Sequence, residues 1–179
     1  MIAQRQSLKF ETKSGQVVMA RPLTAYDAPY LVQIFEGMSA ESRYRRFQQP
    51  LENPNPKQIW EEAEKIAQMP DDEQDGLIVF RQRPLRPDIP VAAARYVRLN
   101  ETTAEIAVSV IDEMQGQGIG AWLLQTTVDH AREHGIQTLV GMALNDNEVI
   151  WHLLDKLPYP YKRKPDGLTA DIEIDLTGS

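Results

Sequence analysis

The stretch Asp112–Leu124, DEMQGQGIGAWLL, places three glycines within five residues and then becomes an apolar run. Glycine costs a helix about 1 kcal/mol relative to alanine, so three glycines at a helix entrance need a structural reason. The predicted helix, residues 118–134, lacks Ser, Thr or Asn in the capping position and has no acidic residue in its first turn. Its unpaired N–H groups and positive dipole end would suit an anion that the glycines allow to approach. The stretch therefore predicts a phosphate-binding loop.

Two other phosphate motifs fit this stretch less well. Residues 116–121, GQGIGA, satisfy the dinucleotide pattern GxGxxG/A, but that pattern belongs to the first β-α turn of a Rossmann domain. About a hundred residues of a different pattern precede it here. The P-loop pattern fails because no Gly-Lys-Ser/Thr follows. Dinucleotide binding stays as the weaker alternative.

The rest of the chain predicts a helical cap followed by a strand meander. Two short strands flank a Ser14-Gly15 turn, and Thr24 and Ser39 are the expected N-caps of two following helices. Three further helices are predicted, one opened by prolines within 53–69, one at 118–134 ended by Gly135, and one at 147–157. Five further strands are predicted at 77–83, 89–99, 104–111, 138–144 and 169–176. The segments PDDEQDG and YPYKRKPDG are expected to be loops. The pattern predicts a mixed sheet in a single α+β (α/β) domain over residues 1–179.

Composition excludes several functional classes. The chain has no cysteine and only three histidines, His130, His134 and His152, so no metal site is expected. A net charge of -7 argues against a nucleic-acid partner and suits a cationic partner such as an amine. The sequence contains neither a signal-peptide pattern nor a long apolar window, so we expect a cytoplasmic protein without a membrane partner.

The phosphate loop, written Gln115-x-x-Gly118-x-Gly120, resembles the pyrophosphate signature of the GNAT superfamily of CoA-dependent N-acyltransferases. The segment AEIAVSVIDE before it is similar to the family's fourth strand, and TLVGMALNDNEVIWHLLDKLPY is similar to its fifth strand and fourth helix. The N-terminal segment that ends in SAESRYRRF resembles the catalytic domain of bacterial protein-lysine acetyltransferases, whose signature there is similar to SxESxxxRF. The resemblance covers nearly the whole chain.

The resemblance implies a mixed, mostly antiparallel sheet flanked by helices, with the fourth and fifth strands splayed for acetyl-CoA, the expected cosubstrate. It implies that the thioester arm pairs with the backbone of Ser109, Val110 and Ile111. The pyrophosphate would be held by main-chain N–H groups of residues 115–120, which are Gln115, Gly116, Gln117, Gly118, Ile119 and Gly120. Asn147 would touch the arm from the other side, or serve as the N-cap of its helix.

The implied chemistry is direct attack of an amine on the acetyl thioester. Glu105 opens the fourth strand, where the related lysine acetyltransferases carry a glutamate base, and it is our candidate for that role. The alternative is a solvent-facing glutamate at a strand start, with Glu101 as a weaker second candidate. Many relatives carry a tyrosine acid seven residues after the asparagine, but this chain has Leu154 there. Tyr159 is expected to pack rather than to act as the acid.

Three functions fit these features. The first is an N-acetyltransferase acting on a primary amine, with a protein lysine as the preferred acceptor. The second is a small-amine acetyltransferase for a polyamine, an amino acid or an antibiotic. The third is an acyl-CoA-binding regulatory module without catalysis. The sequence leaves open the acceptor and the oligomeric state, a homodimer included.

Overall fold

A computed structural model describes residues 7–178 of the chain. The helices are α1 Ala28–Glu36, α2 Ala40–Phe47, α3 Pro56–Gln68, α4 Ile119–Glu133 and α5 Glu148–Asp155. The strands are β1 Leu8–Glu11, β2 Val17–Pro22, β3 Gln74–Arg81, β4 Ile89–Arg98, β5 Thr103–Val110, β6 Thr138–Leu144, β7 Tyr161–Asp166 and β8 Thr169–Asp175. Within 7–178, no helix has the length and apolar character that crossing a membrane requires.

All eight of these strands form one sheet in the order β1-β2-β3-β4-β5-β6-β8-β7. Neighbouring strands are antiparallel except β5 and β6, which are parallel and are connected through α4. A parallel pair needs such a crossover because a short hairpin turn can only reverse the chain. The predicted mixed, mostly antiparallel sheet with flanking helices is therefore confirmed.

Alternation along β5 assigns its side chains to two faces of the sheet. Ala104 is fully buried in one core cluster, together with Tyr96 of β4 and Leu124 and Val128 of α4. Glu105 belongs to the opposite face, because successive strand residues point to opposite sides. Helices α1 and α3 pack against each other through a separate small cluster of Ala28, Val32, Ala63 and Ala67. Burial of each large apolar side chain contributes about 1.5–3 kcal/mol to these cores.

Several predicted helix ends are confirmed and one is wrong. The Ser39 hydroxyl accepts a hydrogen bond from the Ser42 N–H and caps α2. Gly135 follows α4 at φ +85°. Thr24 does not cap α1, because the helix begins at Ala28 after Asp27. The Thr24 N–H instead donates to the Asp27 carboxylate at 2.7 Å.

Two predicted loops contain strand residues. The segment YPYKRKPDG contains β7, which has exposed charged side chains and pairs with β8 at the edge of the sheet that the described strands form, so it shows no apolar alternation. The last three residues of PDDEQDG belong to β3, which begins at Gln74. Gln74 is buried, and its side-chain amide donates to the Ile66 carbonyl of α3. A tertiary contact with α3 therefore extends the strand beyond its apolar run.

Candidate active site

Strands β5 and β6 pair at only three positions before they separate. The pairs are Thr103 with Thr138, Ala104 with Leu139, and Glu105 with Val140. Beyond Glu105 a cavity of about 520 Å³ opens between the two strands, with residues 106–110 in its wall. Since β6 does not pair with this part of β5, backbone hydrogen-bonding groups on that edge are available to an extended ligand. The predicted splay of the two strands is confirmed.

The glycine loop lies at the end of this cavity, where α4 begins. Gly116 and Gly118 have φ of +72° and +88°, a region that side-chain-bearing residues rarely adopt. Gly118 is the N-cap of α4 and supplies no side-chain hydrogen bond. The first backbone hydrogen bond of the helix runs from the Trp122 N–H to the Gly118 carbonyl. In the part of the chain that the structure describes, the N–H groups of residues 116–121 find no acceptor. The geometry is that of an anion site at a helix N-terminus.

The turn between β1 and β2 is attached to this loop. The Lys13 N–H donates to the Gln117 carbonyl at 3.0 Å, and the Ser14 N–H donates to the Gln117 Oε1 at 3.1 Å. The Lys13 side chain reaches the cavity beside Gly118. Sequence reasoning did not identify Lys13, because it lies about a hundred residues before the loop and belongs to no local motif.

Gln115 connects the two sequence segments that carry the family resemblance. Its side-chain amide donates to the Ser42 hydroxyl of α2 at 3.2 Å and to the Val110 carbonyl at 3.1 Å. Nearby, the Ser39 N–H donates to the Asp112 carboxylate at 3.0 Å. Burial alone would raise the pKa of Asp112, but hydrogen bonds from Ser39 and Ser42 outweigh it and hold that pKa below its usual value. These bonds position α2 over the cavity.

The cavity wall is basic although the chain is acidic overall. The titratable side chains that line it are Lys13, Arg45, Arg46, His152 and Lys156, and no acidic side chain of residues 7–178 is among them. The chain as a whole carries a net charge of -7. A basic cleft in an acidic protein concentrates the field where a polyanionic ligand would bind. This wall therefore matches a ligand that carries several phosphates.

Arg46 lies on α2, half-buried in the cavity, with its Nε donating to the Ser109 hydroxyl at 3.2 Å. Burial lowers the pKa of its guanidinium to about 10, Arg95 adds to this decrease, and Glu105 opposes it. Burial also lowers the pKa of Arg95, and Glu105 opposes this decrease as well. Two cationic side chains and the carboxylate of Glu105 thus lie near one another, on the face of β5 opposite to α4.

The structure brings most of the predicted site residues together. The cavity is lined by Ser109, Val110, Gln115, Gly116, Gly118, Gly120 and Asn147. The Ile111 N–H is not available to a ligand there, because it donates to the Val91 carbonyl at 3.0 Å. Ile119 is fully buried in the core and the Gln117 side chain binds Ser14, so these two could contribute only main-chain groups. Glu105 is exposed and lies outside the cavity wall, at the point where the strands separate.

The second half of the cavity wall comes from α5. Asn147 caps this helix by accepting a hydrogen bond from the Ile150 N–H at 3.4 Å, and it also faces the cavity, so its two predicted roles are compatible. Leu154 is 2% exposed and belongs to the core. The Tyr159 hydroxyl donates to the Asp129 carboxylate at 2.9 Å, and burial together with Asp129 raises the pKa of Tyr159. Within residues 7–178, the cavity wall contains no tyrosine.

Comparison with known proteins gives one consistent match. The model of the acetyltransferase (GNAT) family matches residues 40–157. Acetyltransferase Pat of Mycolicibacterium smegmatis is 29% identical over 169 residues, which are 93% of this chain and 48% of that protein. The chain thus spans about half the length of this relative.

Solved structures agree with this match. The GNAT domain of S. lividans PAT superposes with a TM-score of 0.78 at 26% identity and covers 95% of this chain and 97% of that one. The structure of yncA from Salmonella typhimurium, solved with its cofactor acetyl-CoA, has a TM-score of 0.62 at 15% identity. It covers 90% of this chain and 95% of that one, and at such identity the likeness concerns the fold alone.

Proposed function

Because the chain belongs to the acetyltransferase (GNAT) family, we propose that it transfers the acetyl group of acetyl-CoA to the ε-amine of a protein lysine. The observation that carries this proposal is the cleft between β5 and β6, which ends at the unpaired N–H groups of the glycine loop. An unpaired strand edge and a helix N-terminus at its end are complementary to a pantetheine amide chain that ends in a pyrophosphate.

The donor side of the site binds the CoA moiety. The pyrophosphate lies against the main-chain N–H groups around Gly118, and Lys13 adds a cation at the same end. The pantetheine arm follows the open edge of β5 beside Val110, opposite Asn147, whereas the main-chain groups of Ser109, in register with those of Ile111, face β4. Oriented backbone donors cost no rearrangement when the ligand binds, and this favours affinity.

The acceptor side must present a neutral amine. A lysine amine has an ordinary pKa of about 10.4, so deprotonating it at pH 7 costs about 4–5 kcal/mol. Glu105 accepts the amine proton, directly or through one water, and such a base contributes about 10²–10⁴-fold. The nearby Arg46 and Arg95 guanidinium groups also disfavour a charged ammonium, because like charges repel.

In the chemical step the amine lone pair attacks the thioester carbonyl carbon. A C–N bond forms, the C–S bond breaks, the amine proton passes to Glu105, and CoA leaves as a thiolate. A thiol has an ordinary pKa of about 8.5, so the thiolate is a tolerable leaving group without an acid. This is consistent with Leu154 in the position where relatives carry a tyrosine and with a cavity wall that has no tyrosine among the described residues.

The choice of a protein lysine over a small amine rests on the segment that ends in SAESRYRRF, which resembles the catalytic domain of bacterial protein-lysine acetyltransferases. The small-amine acetyltransferase and the non-catalytic acyl-CoA-binding module remain the alternatives. The basic cavity supports CoA binding equally in all three cases, so the acceptor must be determined by assay.

The decisive experiment is a turnover screen with acetyl-CoA against lysine peptides, polyamines, amino acids and aminoglycosides, with free thiol as the readout. A thermal shift with acetyl-CoA, CoA, NAD and ATP accompanies it. We expect acetyl-CoA and CoA to raise the Tm, NAD and ATP to leave it unchanged, and lysine peptides to be acetylated on the side chain by mass spectrometry. A Tm shift with NAD alone would refute the assignment. CoA binding without thiol release from any amine would support the regulatory module.

A further inference from the structure

A cluster of three metal-ligating side chains lies at the far end of α4, outside the cavity. Asp75 of β3 meets His130 and His134, which are one helical turn apart on α4. The Asp75 Oδ2 lies 2.6 Å from the His130 Nε2, and the ring centroids of the two histidines are 4.0 Å apart. One ligand atom from each residue lies within 4.8 Å of the others. None of the three lines the cavity described above.

The fold produces this cluster from two separate segments. Residues at i and i+4 of a helix share one face, so His130 and His134 lie side by side. In the sheet, Asp75 is paired with Tyr96, and both therefore point to the face that α4 covers. The Tyr96 hydroxyl donates to the Asp75 Oδ2 at 3.5 Å. The cluster is thus held between the end of α4 and the beginning of β3.

We propose that Asp75, His130 and His134 form a binding site for a divalent transition metal, with Zn²⁺ as the ion best suited to it. Zn²⁺ is bound by histidine nitrogens and carboxylate oxygens at about 2.0–2.2 Å, and a tetrahedral site therefore separates its ligand atoms by about 3.4 Å. The ligand atoms here lie within 4.8 Å of one another, with 2.6 Å between the Asp75 Oδ2 and the His130 Nε2, so a bound ion would require the side chains to adjust. Three protein ligands leave the fourth position to water.

Neighbouring groups prepare the ligands. The His134 Nδ1 lies 2.8 Å from the His130 carbonyl, which only accepts, so in the neutral imidazole Nδ1 carries the proton and the lone pair is on Nε2. A backbone carbonyl that orients a metal-ligating histidine in this way is a common outer-shell contact. The ion would also lie at the C-terminal end of α4, where the helix dipole favours a cation.

One cation opposes the metal. The Arg98 guanidinium donates to the His134 carbonyl at 2.7 Å and to the Glu101 carbonyl at 3.2 Å. Both bonds point it at backbone oxygens of the helix end and the adjacent turn. The positive charge of Arg98, although held by these two carbonyls, would repel a bound metal ion. We therefore expect binding weaker than that of a closed structural zinc site.

The metal would tie the end of α4 to β3, two segments that the cleft chemistry does not use. A ligand that binds only the folded state raises the stability by mass action. This inference is independent of the proposed acetyl transfer, because neither the cluster nor its variants touch the cavity.

The experiment uses protein from which any affinity tag has been removed and which has been treated with EDTA and then dialysed. Calorimetric titration with ZnCl2 should show one site per chain, and the Tm should rise with Zn²⁺ and return with EDTA. His134→Gln changes an exposed side chain and should keep the fold while weakening Zn²⁺ binding about tenfold or more. Asp75→Asn should weaken it similarly.

His152→Gln is the matched control, because it removes the remaining histidine of the chain, which lies in the cavity wall on α5. It should bind Zn²⁺ as the unchanged chain does. Equal Zn²⁺ binding by the unchanged chain and His134→Gln would overturn the proposal, as would loss of binding in His152→Gln. Absence of a one-to-one isotherm would show that the cluster is only a hydrogen-bonded contact between Asp75 and His130.

Discussion

The two flanks of β5 differ in strand pairing, and this difference opens the cleft between β5 and β6. On one flank, Ala104–Val110 pairs with Ala92–Arg98 of β4 at seven consecutive positions. On the other flank, β6 pairs at three positions and then departs. A short turn connects β4 to β5 and sets the register locally, whereas β6 arrives only after α4 has crossed the sheet. One edge of β5 is thus fully paired through a local hairpin, whereas the other edge, reached through a long crossover, is left partly unpaired.

One glycine in β3, beyond β4, and one in β6 show the same contrast between the two sides of β5. A Cβ added at Gly76, in the closely paired β3, would come 2.9 Å from the Ala94 carbonyl oxygen. Among the described residues, the one atom within 4 Å of a Cβ added at Gly141, on the open side, is the Ile106 carbonyl oxygen at 3.7 Å. Gly76 therefore serves the packing of backbone against backbone, whereas the space at Gly141 is available to a ligand.

The largest expected effect concerns Glu105, at the last position where both flanks are still paired. Glu105→Gln keeps the size of the side chain and removes the base, so kcat at pH 7 should fall about 100-fold while acetyl-CoA affinity is unchanged. The deficit should narrow as the pH approaches the amine pKa of about 10.4, because free amine no longer has to be generated. Steady-state kinetics from about pH 6 to about pH 10 would measure how the loss in kcat depends on pH.

Glu101→Gln is the control for this substitution, since Glu101 is also exposed and lies in the turn just before β5. It should retain the turnover of the unchanged enzyme. Near-normal turnover of Glu105→Gln at neutral pH would contradict the assignment of the base, and a larger loss in Glu101→Gln would move the role to that residue.

The next effect compares the two ends of α4. Gly118 and Gly135 have φ of +88° and +85°, so alanine at either position should cost about 1–2 kcal/mol of stability for the same backbone reason. Only Gly118→Ala adds a Cβ at the proposed phosphate site, and it should weaken CoA binding about tenfold or more. Urea denaturation and calorimetric titration with CoA measure the two quantities. Equal CoA affinity in both variants would show that Gly118 serves only the turn.

A third pair of variants tests the open flank of β5. Gly141→Val places a β-branched side chain in the cleft and should weaken CoA binding about fivefold, with little change in stability. Gly76→Ala should cost about 1–3 kcal/mol of stability through overpacking and leave CoA affinity unchanged. If Gly141→Val binds CoA normally, the arm does not pass between β5 and β6.

The smallest expected effect concerns Lys13. Lys13→Gln should weaken CoA binding about threefold at low salt, and the difference should disappear at high salt, because an exposed charge is screened. Lys9→Gln is the control, since Lys9 is exposed on β1 and does not line the cavity. A salt-independent loss in Lys13→Gln would instead indicate that the substitution disturbs the turn attached to Gln117.

Local sequence patterns predicted most helices and strands, but they misplaced one helix cap and missed one edge strand. The glycine loop, the Ser39 cap and the strand before the loop follow from residue spacing within a few positions. The Thr24 cap was wrong because Asp27 lies next to the helix and is paired with Arg21. Strand β7 was not predicted, because an exposed edge strand with charged side chains has no apolar alternation.

The sequence by itself determined the fold class, the glycine loop before α4 and the family, because each depends on residues that are close together along the chain. Only the tertiary structure decided where β5 and β6 separate, that Lys13 and Arg46 face the cavity, and that the Ile111 N–H is already used by β4. It alone also brought Asp75 to His130. The physical reason is that these contacts join segments tens of residues apart, and strand register and helix packing set such contacts without leaving a local signature.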